Sequence, residues 1–216
     1  MYIYIAKLDD CLVNVSKRVF NIISYNTRIY IKGKYLEKDR YSTMISEILV
    51  RMIYRDRLNL SEVTFDRNNF GLFCSNNDNY NISISHSGNY IVAVVSEYGV
   101  GIDIQYMDCN MLDIAKRFFL VEEVSYIYKC QKGIKNRFYE VWTKKESCYK
   151  YNKFKLNCNF LEINTITDKR FLNKCSTLVF DRDYMISICS DKIIKNIKED
   201  ILFISSHEIN DYINNI

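Results

Sequence analysis

The sequence predicts a mixed α+β chain in two halves, and three observations carry that prediction. Apolar runs are short and bounded by Asn, Asp, Ser or Lys, as strands of small sheets are. Tyr41, Met44, Ile45, Ile48, Leu49, Met52 and Ile53 recur at three- and four-residue spacing, which predicts an amphipathic helix with a basic end at Arg51, Arg55 and Arg57. After Asp108 the pattern turns helical and then returns to strands, which sets the expected division at residues 1–105 and 106–216.

In chain order, strands are expected at Met1–Ala6, Val63–Phe65, Ile82–Ile84, Tyr90–Ser96 and Val100–Ile104. Ser87-Gly88-Asn89 reads as a tight hairpin connection. Helices are expected at Met111–Phe119, Glu122–Lys132 and Asn136–Tyr151, then strands at Phe160–Ile163, Ser176–Phe180, Tyr184–Cys189 and Ile201–Ser205. Proline is absent and glycine occurs only six times, so clusters such as Asn76-Asn77-Asp78-Asn79 must make the turns. Asn and Asp can do so because their side chains mimic a turn and tolerate left-handed backbone.

With 216 residues and 48% apolar composition, the chain can bury a substantial core. A net charge of +4, with both signs mixed, suits an ordinary enzyme as well as an anionic partner, and no basic stripe or stacking motif points to nucleic acid. Cys11, Cys74, Cys109, Cys130, Cys148, Cys158, Cys175 and Cys189 are scattered without a Cys-x-x-Cys pair. That spacing predicts reduced thiols serving as small core groups in a cytoplasmic protein, and no structural zinc site. No apolar stretch approaches the roughly 20 residues of a membrane-spanning helix, so a soluble chain is expected.

Three segments carry chemistry: Ser85-His86-Ser87, Gly101-Ile102-Asp103-Ile104-Gln105, and Trp142-Thr143-Lys144-Lys145-Glu146 followed by Lys150. A histidine with flanking hydroxyls and Gly88 in one turn is a suitable cradle for phosphate, although a lone histidine after a strand is more often structural. In an Ile-Asp-Ile alternation, Asp103 faces away from the side that the isoleucines take. Trp142, Lys145, Glu146, Tyr149 and Lys150 share one helical stripe, with a carboxylate flanked by two ammonium groups. Taken alone, that stripe is an ordinary solvated face; the chain's only tryptophan on it argues against full solvation. Asp103 and Glu146 together offer the hard oxygen ligands that Mg²⁺ takes alongside water and phosphate. A Ser/His hydrolase lacks support, because no Gly-x-Ser-x-Gly elbow is present and adjacent strand residues point to opposite faces.

In this order and spacing the three segments resemble the 4′-phosphopantetheinyl transferases of the long, single-chain type that activates surfactin synthetase. The resemblance covers roughly Tyr35 to Ser190, including Ser46–Arg51 and Ile114–Phe119. It implies two similar α/β halves related by a pseudo-twofold, an active cleft between them, and a monomer. It also implies transfer of phosphopantetheine from coenzyme A to a serine of an apo acyl or peptidyl carrier protein, with release of 3′,5′-ADP and dependence on Mg²⁺. Carried across, Asp103, Glu146 and Gln105 would hold the metal, and Glu146 would be the base for the incoming serine. Lys145 and Lys150 would offset phosphate charge. His86, Ser85, Thr43 and Lys150 would contact the cofactor.

Two departures from the family pattern stand out. Gln105 stands where many members carry a third acidic ligand, although other branches of the family also have a neutral residue there, and Phe70-Gly71-Leu72 lacks the lysine that relatives often place after the glycine. Arg28, Lys32 and Lys34 are candidate replacements. These departures keep a second reading open, a catalytically weak or inactive module that binds coenzyme A or carrier protein. Phe119, Leu120 and Val124 are either a surface for a carrier-protein helix or core.

Overall fold

The computed structural model describes residues 1–9, 16–61, 63–67, 73–108, 112–152, 159–192, 194 and 196–216. Along the chain run β1 (Tyr2–Lys7), α1 (Ser16–Ile22), α2 (Tyr25–Lys32), α3 (Glu37–Leu58), β2 (Phe65–Arg67), β3 (Phe73–Ser75), β4 (Asn81–Ser87) and β5 (Tyr90–Ser96). Then follow β6 (Val100–Tyr106), α4 (Leu112–Phe118), α5 (Val121–Tyr128), α6 (Ile134–Asn152), β7 (Cys175–Phe180), β8 (Tyr184–Ser190), β9 (Ile201–Ile204) and α7 (Ser206–Asn214). They form two compact units, one of Met1–Glu97 with Glu199–Ile216 and the other of Tyr98–Lys198.

In the first unit the sheet order is β4-β5-β1-β9, with β1 antiparallel to β5 and parallel to β9. Every residue of β5 is buried, because the strand is central and α3 lies across it. The helix buries Ile45, Ile48, Leu49, Met52 and Ile53, the stripe that its sequence periodicity marks. Glu37 and Asp39 in its first turn and Arg55 and Arg57 in its last complement the helix dipole. It stops at Asn59, whose left-handed backbone (φ 54°) lets its N–H cap Tyr54 O. Gly88, at φ 56°, makes the tight turn that pairs Ser87 with Tyr90.

In the second unit the order is β6-β8-β7, all antiparallel, and α6 packs over β6 and β8. Each unit thus threads a strand, a long helix and a hairpin, and seats the hairpin's second strand beside the first strand. The seating of α6 depends on Gly101. A Cβ there would lie 2.0 Å from Ser147 O and 2.6 Å from Tyr151 N, so only glycine admits the helix backbone this close to β6. One turn nearer the start of α6, Thr143 Oγ1 meets Ser187 Oγ at 2.7 Å, and Ser187 meets Thr177 Oγ1 at 2.8 Å, a row of hydroxyls pinning helix to sheet.

Several expectations need correction. A division at 105/106 would part all of β6 except Tyr106 from its partner strand β8. The units instead change at 97/98 and 198/199, since β9 pairs with β1. Phe160–Ile163 is no strand: Phe160–Glu162 is a 3-10 turn in which Leu161 N donates to the Asn159 side chain and Glu162 N to the Asn159 carbonyl. Helices α1, α2 and α7 lie where no element was expected. Phe70-Gly71-Leu72, Cys11, Cys109 and Cys158 lie outside the described residues.

The close approach at residue 101 yields a direct test. Gly101→Ala forces its methyl group into backbone rather than into a movable side chain, and overpacking of that kind costs about 3 kcal/mol. Urea unfolding should show a midpoint lowered accordingly; an unchanged midpoint would mean that α6 does not rest on β6 at this point.

Candidate active site

The second unit brings together Asp103, Gln105 and Lys150. Asp103 and Gln105 stand two apart on β6 and share the face that Gly101 presents to α6, while Ile102 and Ile104 are buried on the other face. The helix so covers Asp103 that it is only 2% exposed, where a strand aspartate facing away from the isoleucines would ordinarily be solvated. Burial of a carboxylate demands partners. Lys150 Nζ donates to Asp103 Oδ1 at 2.8 Å and to Ile102 O at 3.0 Å, and Gln105 Nε2 donates to Asp103 Oδ2 at 3.3 Å. Asp103 thus carries a cation on one oxygen and an amide on the other, in a setting of low dielectric where both act strongly.

The predicted helical stripe divides in two. Thr143, Ser147 and Lys150 turn toward the sheet, and Trp142, Lys145 and Tyr149 turn the other way. Glu146, half-buried, sits one turn before Lys150 at the border of these faces. Trp142 is packed among Phe118, Phe119, Phe138 and Phe160, all with ring centroids within 6.4 Å, so the residue that argued against solvation is half-buried against the core. Phe119 packs against Phe138 in the same cluster, and Leu120 and Val124 are half-buried.

Lys145 departs most from expectation. It is wholly buried, and its ammonium donates to Glu123 Oε2 at 2.9 Å and to Ile163 O, so it faces a carboxylate inside the unit rather than a solvent-accessible phosphate. Glu123 is equally buried and accepts three further hydrogen bonds, from Thr165 N, Thr165 Oγ1 and Leu120 N, each at 3.0 Å. This carboxylate ties α5, α6 and the segment around residues 163–165 together. Sequence reasoning missed it because an acidic residue in a first helical turn looks like a solvated one.

Three other candidates belong to the first unit. Thr43 is buried on α3 and donates to Asp39 O at 2.7 Å. Ser85 is 8% exposed and His86 half-buried, both near the end of β4, paired with Val92 and Ile91. This unit also holds a cavity of about 500 Å³ beside α1, α2 and the start of α3, whose lining includes Lys17, Lys32 and Arg40 with Phe20 and Tyr41. Lys32 is one of the basic residues singled out in the sequence. Thr43, one position from Met44 in that lining, is not part of it.

Residues 99–200 match the family model of the 4′-phosphopantetheinyl transferase superfamily. The chain is 31% identical over 143 residues to the 4′-phosphopantetheinyl transferase gsp of Aneurinibacillus migulanus, covering 63% of this chain and 60% of that protein. It is 30% identical over 137 residues to ffp of Bacillus subtilis, covering 62% and 61%. To Sfp of Bacillus subtilis strain 168 it is 30% identical over 139 residues, covering 62% of each. The matches therefore span about three fifths of these relatives' lengths.

The Lys145–Glu123 pair predicts non-additive energetics. Lys145→Met alone strands a buried carboxylate and should cost about 3 to 5 kcal/mol, whereas Lys145→Met with Glu123→Leu should recover much of that loss in urea unfolding. Full stability in the single variant together with lost activity would instead assign Lys145 to a substrate.

Proposed function

We propose that this chain, whose residues 99–200 match the family model of the 4′-phosphopantetheinyl transferase superfamily, moves phosphopantetheine from coenzyme A to a carrier-protein serine. The observation that carries this reading is the pairing of partly exposed Lys150 with buried Asp103, with Gln105 beside them, set on the strand and helix of the matching segment. In the reaction the serine Oγ attacks the phosphorus bearing the pantetheine arm. A new O–P bond forms, the bond to the bridging pyrophosphate oxygen breaks, and 3′,5′-ADP leaves. Glu146 takes the hydroxyl proton, directly or through a water.

The donors present fit a magnesium ion. Asp103, Glu146 and the Gln105 amide oxygen are hard oxygen ligands, and Gln105 would present that oxygen by turning over its amide. Bound there, the ion would neutralise and orient the pyrophosphate. Lys150 supplies positive charge from the same face, and the helix above holds it in place. Phosphoryl transfer of this kind needs positioning and electrostatic stabilisation more than covalent help.

For Thr43, Ser85 and His86 the proposal is contact with coenzyme A through hydroxyl and imidazole groups. The shared strand, long helix and hairpin order supports two halves built on one plan. A monomer working in the cytoplasm on an acyl or peptidyl carrier protein completes the reading.

Incubation with coenzyme A, Mg²⁺ and an apo carrier protein should add one phosphopantetheine to the carrier, read by intact mass. Lys150→Ala and Glu146→Gln should each lower the rate at least about 100-fold, and removing the metal with a chelator should abolish it. Binding of coenzyme A with no mass added to any of a panel of carriers would favour the inactive-module reading.

Gln105 gives a separate test. Gln105→Glu adds a charged ligand and should lower the Mg²⁺ concentration needed for half-maximal rate. An unshifted magnesium titration would show that residue 105 does not reach the ion.

A further inference from the structure

Three cysteines far apart in sequence converge inside the second unit. Gly101, Cys189 and Cys175 are register partners on β6, β8 and β7, and form one row across the sheet beneath α6. Ser190 N donates to Lys174 O at 3.0 Å, which makes Cys175 and Cys189 a non-hydrogen-bonded pair, the kind whose side chains stand closest. Gly101 lets the helix down onto this row, and Cys148 descends from α6 against the pair. The three sulfurs lie within 4.8 Å of one another, and Cys148 and Cys175 Sγ are 3.0 Å apart.

We propose that Cys148, Cys175 and Cys189 form a site for a thiophilic d¹⁰ cation, Zn²⁺ or Cu⁺. Thiolates on one such ion, with metal–sulfur bonds near 2.3 Å, stand about 4 Å apart, so small side-chain rotations convert the present cluster into a ligand set. The ligands come from three elements whose positions the sheet register and the helix seat already determine, so little ordering remains to oppose binding. Tyr151, Ile163 and Phe171 wall the cluster with apolar groups, as a closed structural site requires. Cys175 is half-buried and gives a side on which Zn²⁺ could keep a water as fourth ligand, whereas Cu⁺ is satisfied by three thiolates.

The thiols must deprotonate to bind, so uptake of the ion releases protons and weakens as pH falls. The site revises the expectation of no structural metal, which rested on the absence of close cysteine spacing. A bound ion would clamp α6 to the β7–β8 hairpin at a residue two positions from both Glu146 and Lys150.

The test uses reduced, metal-free full chain under anaerobic conditions, given one equivalent of Zn²⁺ or Cu⁺ and then desalted. One ion should be retained per chain, and the thermal midpoint should rise by about 5 °C or more at ion concentrations 100-fold above Kd. Cys175→Ala and Cys148→Ala should lose both effects, while Cys130→Ser, which alters an exposed thiol, should keep them. Alkylation mapping of the unaltered chain needs no variant: Cys148, Cys175 and Cys189 should be protected by the ion together. The ion retained tells Zn²⁺ from Cu⁺. Retention of neither, equal labelling with and without ion, or retention undiminished in Cys175→Ala would overturn the site.

Discussion

The second unit is organised by one contact, the seating of α6 on β6 at Gly101. Without a side chain at that position the backbone of the helix comes down to the backbone of the strand. Its neighbours then have no freedom about where they point. Thr143 falls on Ser187, Lys150 reaches Asp103 and the Ile102 carbonyl, and Cys148 arrives over Cys175 and Cys189. Lys145, well round the helix from Thr143 and Lys150, is carried instead to Glu123. One missing methyl group therefore determines the surroundings of three polar clusters with different chemistry.

Two lysines of α6, Lys145 and Lys150, show how position separates roles that composition makes equal. Lys145 and Glu123 are both wholly buried, and Glu123 is saturated by hydrogen bonds from three elements. Such a pair has little left to offer a ligand, and its worth lies in fixing which elements meet. Lys150 is 17% exposed at its side chain and shares its carboxylate with an amide that can turn over. In the proposed reaction an ion on Asp103 would take over that carboxylate, leaving the partly open Lys150 to meet a phosphate without stranding a buried charge. That difference is why the proposed chemistry is assigned to Lys150 and Glu146, while Lys145 is read as a fastening.

Much of this was legible in the sequence, and the rest had definite reasons for being hidden. The long helices and the strands at Tyr90–Ser96 and Val100–Ile104 follow from periodicity, because apolar spacing reports the face that must be buried. Helix α2 buries only Thr27 and Ile31, too few positions to mark a stripe, and the aromatic 160s turn reads as a strand because its hydrophobes pack sideways on Trp142 and Tyr149. The Gly-Ile-Asp-Ile-Gln and Trp-x-x-Lys-Glu-x-x-x-Lys segments fall on a strand and on the helix packed over it. Their spacing could not tell that Lys145 and Lys150 face opposite ways, since a stripe covering roughly a third of a helix borders two neighbours at once.

The cysteine cluster shows the same limit from another side. Linear spacing detects a metal site only when its ligands come from one loop or one helical turn. Here the ligands are gathered by strand register, which sets Cys175 opposite Cys189, and by a glycine on a third strand, which brings the helix within reach. Neither is visible as a motif, yet both follow from the constraint that seats Lys150 on Asp103. The glycine of the Gly-Ile-Asp segment thus acts through packing: it is the reason that the aspartate has a lysine above it and that the thiols have one another.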